Sequence, residues 1–478
     1  MKRSRNNARE DSCRRVEEES TMKRRVPGTV HRRRGGPLPP VDAQLPPLAY
    51  GPGEKIPLVG TYLKVRRTIV DPIGLAVESQ RRFGDVFTLH VPFTFKLTYL
   101  TGRDGYRAVL GLPPDHGTIE PILGQLPTVG FWFRRLRTDT KSLQELALAG
   151  RKLMAGLVSG PRLAQLDEVL TGVLRSRLST WDNRTVDLAS EIPSLLYEAG
   201  GRFVCGNTFW DEAGGELAGL YRRIADGITV PRAALAATPA GRFMPEFRAT
   251  RRLEQVLTTL IRSERHRHNS LIRAIRSVTV AGSAISEADV PWMLMYVLFN
   301  VTTYPGSYGI WTLIDVVSHP DVLALARARS GSDQRRAFLA DCLDETIRIY
   351  PVGLLARGLT KPLLYESAGR RYFVPAGHVV AALPYAINRN ESEYHDAERY
   401  APQSRQHERP AALFGRGAFG CVAASFTRAL ISGMLDMLLT EFELDLCDPV
   451  PARHCRVALP YPSRPLRAVA RLRAGSRG

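Results

Sequence analysis

"FGRGAFGCVAASF", Phe414–Phe426, decides how the chain is read. It sets three glycines and a lone cysteine directly before an apolar run with helical spacing. A thiolate at the N-terminal end of a helix sits in the positive field of that helix. Glycines ahead of it let the backbone pass close under a flat, bulky group. One thiolate with open space opposite is the ligation pattern of a haem whose iron activates something. The competing reading of this loop alone is a buried structural cysteine, because free cysteine packs as a small hydrophobe.

Working outward, the chain has 478 residues, enough for one large core or two to three smaller domains. It contains no apolar run of spanning length and no charged-apolar-small leader, so no transmembrane anchor is expected. Cys13, Cys205, Cys342, Cys421, Cys447 and Cys455 form no CxxC pair. That spacing argues against zinc and against a disulfide framework, and fits a reducing cytoplasm. The net charge is +19, part of it in an Arg-rich start that includes "MKRRVPGTVHRRRGG" (Met22–Gly36). Residues 1–44 read as a disordered basic segment, either a solvated tail or an over-extended start on one side, or a nucleic-acid or membrane-surface arm or a presequence on the other, with no nucleic-acid partner expected.

The patterning predicts a mainly helical chain with small β-sheets, an α+β fold in a single large domain over 45–472 with a tail at 473–478. "DVFTLHVPF" (Asp85–Phe93) alternates and is β-branched, and "LTYLTG" (Leu97–Gly102) follows at hairpin distance. Helical spacing dominates from about Ser142 to Arg329. Within it, Pro291–Pro320 is long and apolar, with a kink expected at Pro305. "DQRRAFLADCLDETIRIYP" is a shorter amphipathic helix stopped by Pro351. Short strands and turns are expected over 353–390, and a last helix from about Val422 to Glu441.

Two further motifs stand upstream of the cysteine loop. "ETIR" puts Glu345 and Arg348 three apart, on one helix face where they can pair. "AERYAP" (Ala397–Pro402) offers Arg399 as a second guanidinium for the same carboxylate. ExxR, then ERY, then the cysteine loop, in this order, resemble the cytochrome P-450 family, and the likeness extends through most of 45–472. The resemblance implies the cytochrome P-450 fold and a haem b whose iron takes Cys421 as axial ligand. It also implies Phe414 against the haem, and Glu345, Arg348 and Arg399 as a structural triad. Arg357, in "LLARG", matches a haem-propionate partner, with Arg151 and Lys152 available for the other propionate.

Three departures from the family pattern matter. Phe419 stands where the family has Arg or His, and Ala423 where it has Gly. On the central helix, "FNVTTYPG" aligns Thr302 with the acid and Thr303 with the alcohol of the pair that delivers protons at the distal face. An alcohol can relay a proton through water but cannot supply one as a carboxylate can. The alternative for both threonines is core packing, with hydroxyls bonded back to the preceding turn.

The expected activity is therefore a haem-thiolate monooxygenase, an oxidoreductase acting on a small apolar or aromatic metabolite in specialised, natural-product metabolism. Phe131, Trp132, Phe133 and Phe299 are substrate-pocket candidates, with further contacts from about 225–250. Electrons would come from a ferredoxin or reductase, docking on a basic face near Arg405, Arg416 and Arg428. The chain is expected to be a cytoplasmic monomer. The missing acid leaves open a rival reading: isomerisation, dehydration or N–O/O–O group transfer on the same haem without a reductant. Phe419 and Ala423 leave open a third, a non-catalytic haem-binding relative.

Overall fold

The computed structural model describes residues 39–49, 67, 71–90, 96–113, 115–118, 143–158, 160–227, 243–280, 282–351, 355–391, 393–404, 413–415, 420–451 and 461–473. In chain order the elements begin with α1 (Pro72–Phe83), the strands β1 (Val86–His90) and β2 (Lys96–Leu100), α2 (Arg103–Gly111) and β3 (Gly117–Thr118). A helical stretch follows: α3 (Leu143–Leu157), α4 (Leu166–Leu178), β4 (Arg184–Asp187), α5 (Leu188–Cys205), α6 (Asn207–Asp226), α7 (Pro245–Arg262) and α8 (Ser270–Arg276). After the short strands β5 (Thr279–Val280) and β6 (Ser283–Ala284) come α9 (Val290–Ser318), α10 (Pro320–Ala328) and α11 (Ser332–Ile349). Strands β7 (Leu355–Leu359), β8 (Leu363–Ser367), β9 (Arg370–Val374) and β10 (Val379–Ala382) lead to the short α12 (Pro384–Asn388). The chain closes with α13 (Ala424–Glu441), β11 (Phe442–Leu446) and β12 (Arg467–Leu472).

Local chemistry sets many of these boundaries. Asp71 accepts from the Gly74 N–H with Pro72 in the first turn, and Gly84 ends α1 at φ 84°. Asn269 accepts from the N–H groups of Leu271 and Ile272 to start α8. The expected hairpin is present: β1 pairs antiparallel with β2, Val86 opposite Leu100. It extends into a five-stranded sheet ordered β1-β2-β10-β7-β3, and a second sheet is ordered β11-β12-β4.

The centre of the helical body is α9, 29 residues long and buried on nearly every side. It packs on α5, α7, α11 and α13. The α5–α9 seam is close because small residues line it. A Cβ on Gly200 would stand 2.5 Å from the Val301 carbonyl oxygen, and one on Gly309 would overlap Leu196 Cδ1. α9 is one helix from Val290 to Ser318 with Pro305, the site of the expected kink, inside it. Gly306 lies against Tyr197, and the Tyr461 hydroxyl donates to the Thr303 carbonyl at 2.7 Å. No single helix among the described residues is long and apolar enough to cross a membrane.

Gly200→Ala is expected to destabilise the fold by about 1–3 kcal/mol through overpacking against backbone. Gly172→Ala, at an exposed site of α4 with nothing near its Cβ, should instead stabilise by roughly 0.5–1 kcal/mol. Chemical denaturation of the two variants checks both signs.

His378, just before β10, places its Nδ1 3.2 Å from Thr98 Oγ1. Burial, then the charge of Lys96, pushes its pKa down to about 4. An unfolded imidazole takes up a proton near ~6.5. Between those values the unfolded chain binds more protons, so stability falls as pH falls from 6.5 towards 4. His378→Gln should flatten the fall in denaturation midpoint between about pH 7 and 5, measured against wild type.

Candidate active site

The cysteine loop is tied down from three directions. The Cys421 N–H donates to the Phe414 carbonyl at 2.6 Å, closing the loop on itself. Gly415 takes φ 73°, a left-handed conformation that glycine adopts without strain. Arg151 of α3 donates from Nη2 to the Gly420 carbonyl at 2.6 Å. Helix α13 then begins three residues after the cysteine.

Above the loop lies a cavity of about 240 Å³, walled by α9, α3, α11 and the start of α13. Cys421, Phe414, Gly415, Ala423 and Arg151 all line it. The thiol is open to the cavity while protein encloses the surroundings. Burial pushes the Cys421 pKa up. The Ala423 N–H and the charges of Arg151 and Arg428 act in the opposite sense, favouring the thiolate.

The roof of the cavity differs from the sequence expectation. Thr302 and Thr303 do not line it. Thr302 Oγ1 donates back to the Leu298 carbonyl at 2.7 Å, and its methyl faces Gly200 of α5. Thr303 is fully buried beside Tyr197 and Tyr461. The residues turned to the cavity are Tyr296, Asn300, Tyr304 and Tyr308, four apart along one helix face. The correction is one of helical register: one residue further along turns the side chain by roughly 100°. The recurrence of Tyr296, Asn300, Tyr304 and Tyr308 every four positions was the available signal. Burial, then Tyr296 and Cys421, pushes the Tyr304 pKa up to about 12, so its phenol is a protonated donor. Phe299 also misses the described cavity wall; its ring meets Tyr304 edge-on at 5.9 Å and packs on Tyr221.

Arg357 is buried on β7, on the same strand face as Leu355, which lines the cavity. Burial, then the charge of Arg151, pushes its guanidinium pKa down to about 10. Two guanidinium groups near an apolar cavity that also holds one thiol suit a flat apolar group that carries two carboxylates. Haem is such a group, and the residues present fit it. Lys152 is exposed.

The ExxR pair forms as the sequence predicts. Arg348 donates to Glu345 through Nε (2.7 Å) and Nη2 (2.9 Å), and both residues are buried. Arg348 Nη1 also donates to the carbonyls of Asn388 (2.6 Å) and Ala397 (2.7 Å). Arg399 departs from expectation: it is exposed, and joins through its backbone carbonyl, 3.2 Å from Arg348 Nη2. The Ala401 N–H donates to Glu345 Oε1 at 3.0 Å on the side where a second guanidinium was expected. Arg428 is paired bidentately with Asp344 (2.9 and 2.8 Å) and stacked on Phe414, so it is no free surface cation. Phe131, Trp132, Phe133, Arg405, Arg416 and Phe419 lie outside the described residues.

Glu345→Ala should cost about 3–5 kcal/mol, because it leaves a buried guanidinium uncompensated. Arg399→Ala should stay within about 0.5 kcal/mol of wild type, since only its carbonyl is used. Urea denaturation of the pair distinguishes this network from a three-side-chain triad.

The cytochrome P-450 family profile matches residues 329–464. The chain is 24% identical to an obtusifoliol 14-alpha demethylase of Sorghum bicolor, over 85% of this chain and 86% of that protein. It is 22% identical to a sterol 14-demethylase of Arabidopsis thaliana, over 83% and 85% of the two chains. Among solved structures, ligand-free cytochrome P-450 OleT matches at TM-score 0.71 and 14% identity, over 86% of this chain and 98% of that one. Retinoic acid-bound cyanobacterial CYP120A1 matches at TM-score 0.67 and 17% identity, over 92% and 100%. The cavity, the buried ExxR pair, the fold and these likenesses converge: they support a member of the cytochrome P-450 family, a haem-dependent monooxygenase of cysteine-thiolate type.

Proposed function

We propose that residues 45–472 form a haem domain in which Cys421 supplies the axial thiolate. Residues 1–44 precede it and 473–478 follow it as tails. The carrying observation is a single thiol opening into an apolar cavity opposite α9. Arg151 and Arg357 hold the two carboxylates of the haem, and Phe414 packs against it. Glu345 and Arg348 fix the polypeptide that leads into the cysteine loop. When bound, the haem supplies the oxidising chemistry, with electrons from a separate donor. This chain's residues keep the cavity apolar, hold the thiol in place and offer protonated phenols from α9.

The substrate is an apolar metabolite. The sequence alone points to a small apolar or aromatic compound of specialised metabolism. The sterol-acting names of the relatives, including a human 24-hydroxycholesterol 7-alpha-hydroxylase 23% identical over 38% of this chain, favour a fused-ring isoprenoid. The enzyme works as a cytoplasmic monomer, with a ferredoxin or reductase as donor.

A second reading has its own support: no carboxylate is among the residues lining the cavity, and neither Thr302 nor Thr303 lines it. The same site would then isomerise, dehydrate or transfer a group from a substrate already carrying an N–O or O–O bond, without a reductant.

The reduced, carbon-monoxide-bound spectrum should show the red-shifted Soret band of a thiolate-ligated haem, lost in Cys421→Ala. A band that survives the substitution would remove Cys421 from the site. Turnover of a sterol panel should require an electron donor and dioxygen; turnover of a hydroperoxide substrate without either would select the second reading.

A further inference from the structure

Tyr296, Asn300, Tyr304 and Tyr308 share the α9 face that roofs the cavity, and their polar ends have different fates. Tyr308 donates its hydroxyl to the Tyr350 carbonyl at 3.1 Å. Asn300 spends its amide N–H on the Tyr296 carbonyl at 2.8 Å. Tyr296 packs on α3, where a Cβ on Gly150 would meet its ring at 2.9 Å. Its phenol lies within reach of the Arg151 charge, at the rim. Tyr304 is different. Its ring is fixed edge-on by Phe299, and its charge environment includes Cys421. It is half-buried and lines the cavity together with Cys421, and no hydrogen bond of its hydroxyl is found among the described residues.

A hydroxyl that borders an apolar cavity and is not spent on the protein is available to donate to whatever the cavity holds. We propose that Tyr304 is the distal hydrogen-bond donor of this site, its phenol O–H donating to the polar end of a small molecule held opposite Cys421. The assignment rests on the haem-thiolate reading above. It gives the role expected of Thr303 to the next residue, whose longer side chain projects from the correct face of α9. Thr303 instead lies roughly 100° round the helix, where its carbonyl accepts from Tyr461 of the Tyr197–Tyr461 pair and its own hydroxyl is buried away from the cavity lining. The aromatic ring also occupies volume that a short alcohol would leave open. Tyr304 thereby limits what can approach from the α9 side.

The test uses carbon monoxide as the probe on the haem-loaded full chain, comparing wild type, Tyr304→Phe and Thr303→Val. Infrared spectroscopy of the reduced complex reads the C–O stretch, which rises when a nearby donor is removed. The expected result is an upward shift in Tyr304→Phe and an unchanged stretch in Thr303→Val. Cyanide binding to the oxidised protein should weaken roughly tenfold in Tyr304→Phe, the worth of one charge-assisted hydrogen bond. An unshifted stretch in Tyr304→Phe, with the thiolate-type Soret band present, overturns this assignment alone. A shift in Thr303→Val instead restores the threonine. A phenolate charge-transfer band in the resting protein, lost in Tyr304→Phe, makes Tyr304 an iron ligand and overturns the donor role. Absence of the thiolate-type band in wild type overturns both this proposal and the reading beneath it.

Discussion

The buried pair of Glu345 and Arg348 is the constraint on which the rest of the site depends. Neither charge has access to water, so each must be compensated within the protein. The carboxylate accepts two guanidinium N–H bonds from one turn away and one from the Ala401 backbone. The remaining guanidinium donors reach the carbonyls of Asn388, Ala397 and Arg399. Asn388 ends α12, and Ala397 and Arg399 lie in the segment after it, where no ladder of strand hydrogen bonds holds them. One fork of five donors therefore does for this segment what a sheet does elsewhere. Tyr394 lies 5.2 Å from the guanidinium and closes its remaining face.

Arg151 plays a related part on the other side of the loop. It donates to Gly420 and so fixes the backbone immediately before Cys421. With Arg428 it also places positive charge near the sulfur. Arg428 is itself held by Asp344 of α11, one residue before Glu345. Helix α11 thus holds chain on both sides of the cysteine loop, residues 388–401 through the ExxR network and Arg428 of α13 through Asp344. The sequence spacing of ExxR, ERY and cysteine has a physical meaning here: it is the length of chain needed to bring both anchors under one cavity.

Much of this is legible in the amino-acid sequence. The cysteine loop, the start of α13 and the pairing of Glu345 with Arg348 follow from residue types at fixed spacing. So does the β1–β2 hairpin, from alternation bounded by turn residues. Two things are not legible there, for different reasons. The exposed guanidinium of Arg399 cannot be told from a buried one, because only its carbonyl enters the network and carbonyls carry no sequence signature. The face of α9 cannot be read from apolar periodicity, because that helix is buried almost all round and has no polar side to mark the opposite one. Periodicity is present instead in the exceptions, Tyr296, Asn300, Tyr304 and Tyr308.

Those exceptions also explain how an apolar helix carries polarity at its centre without destabilising the body it threads. Thr302, Thr312 and Asn300 each turn a side-chain donor back onto a main-chain carbonyl, of Leu298, Tyr308 and Tyr296 respectively, while the buried Thr303 hydroxyl finds no partner among the described residues. A carboxylate could not be satisfied this way, because it needs donors, and the carbonyls of the preceding turn are acceptors. An acid at the Thr302 position would be fully buried against Gly200, at high cost unless paired. The helix accordingly presents only neutral groups to the cavity. Positive charge is kept to Arg151 and Arg357, where a ligand bearing carboxylates would neutralise it. This separation, neutral donors above and guanidiniums beside an apolar slot, leaves the sulfur of Cys421 as the only anionic ligand that the described lining residues can offer from below.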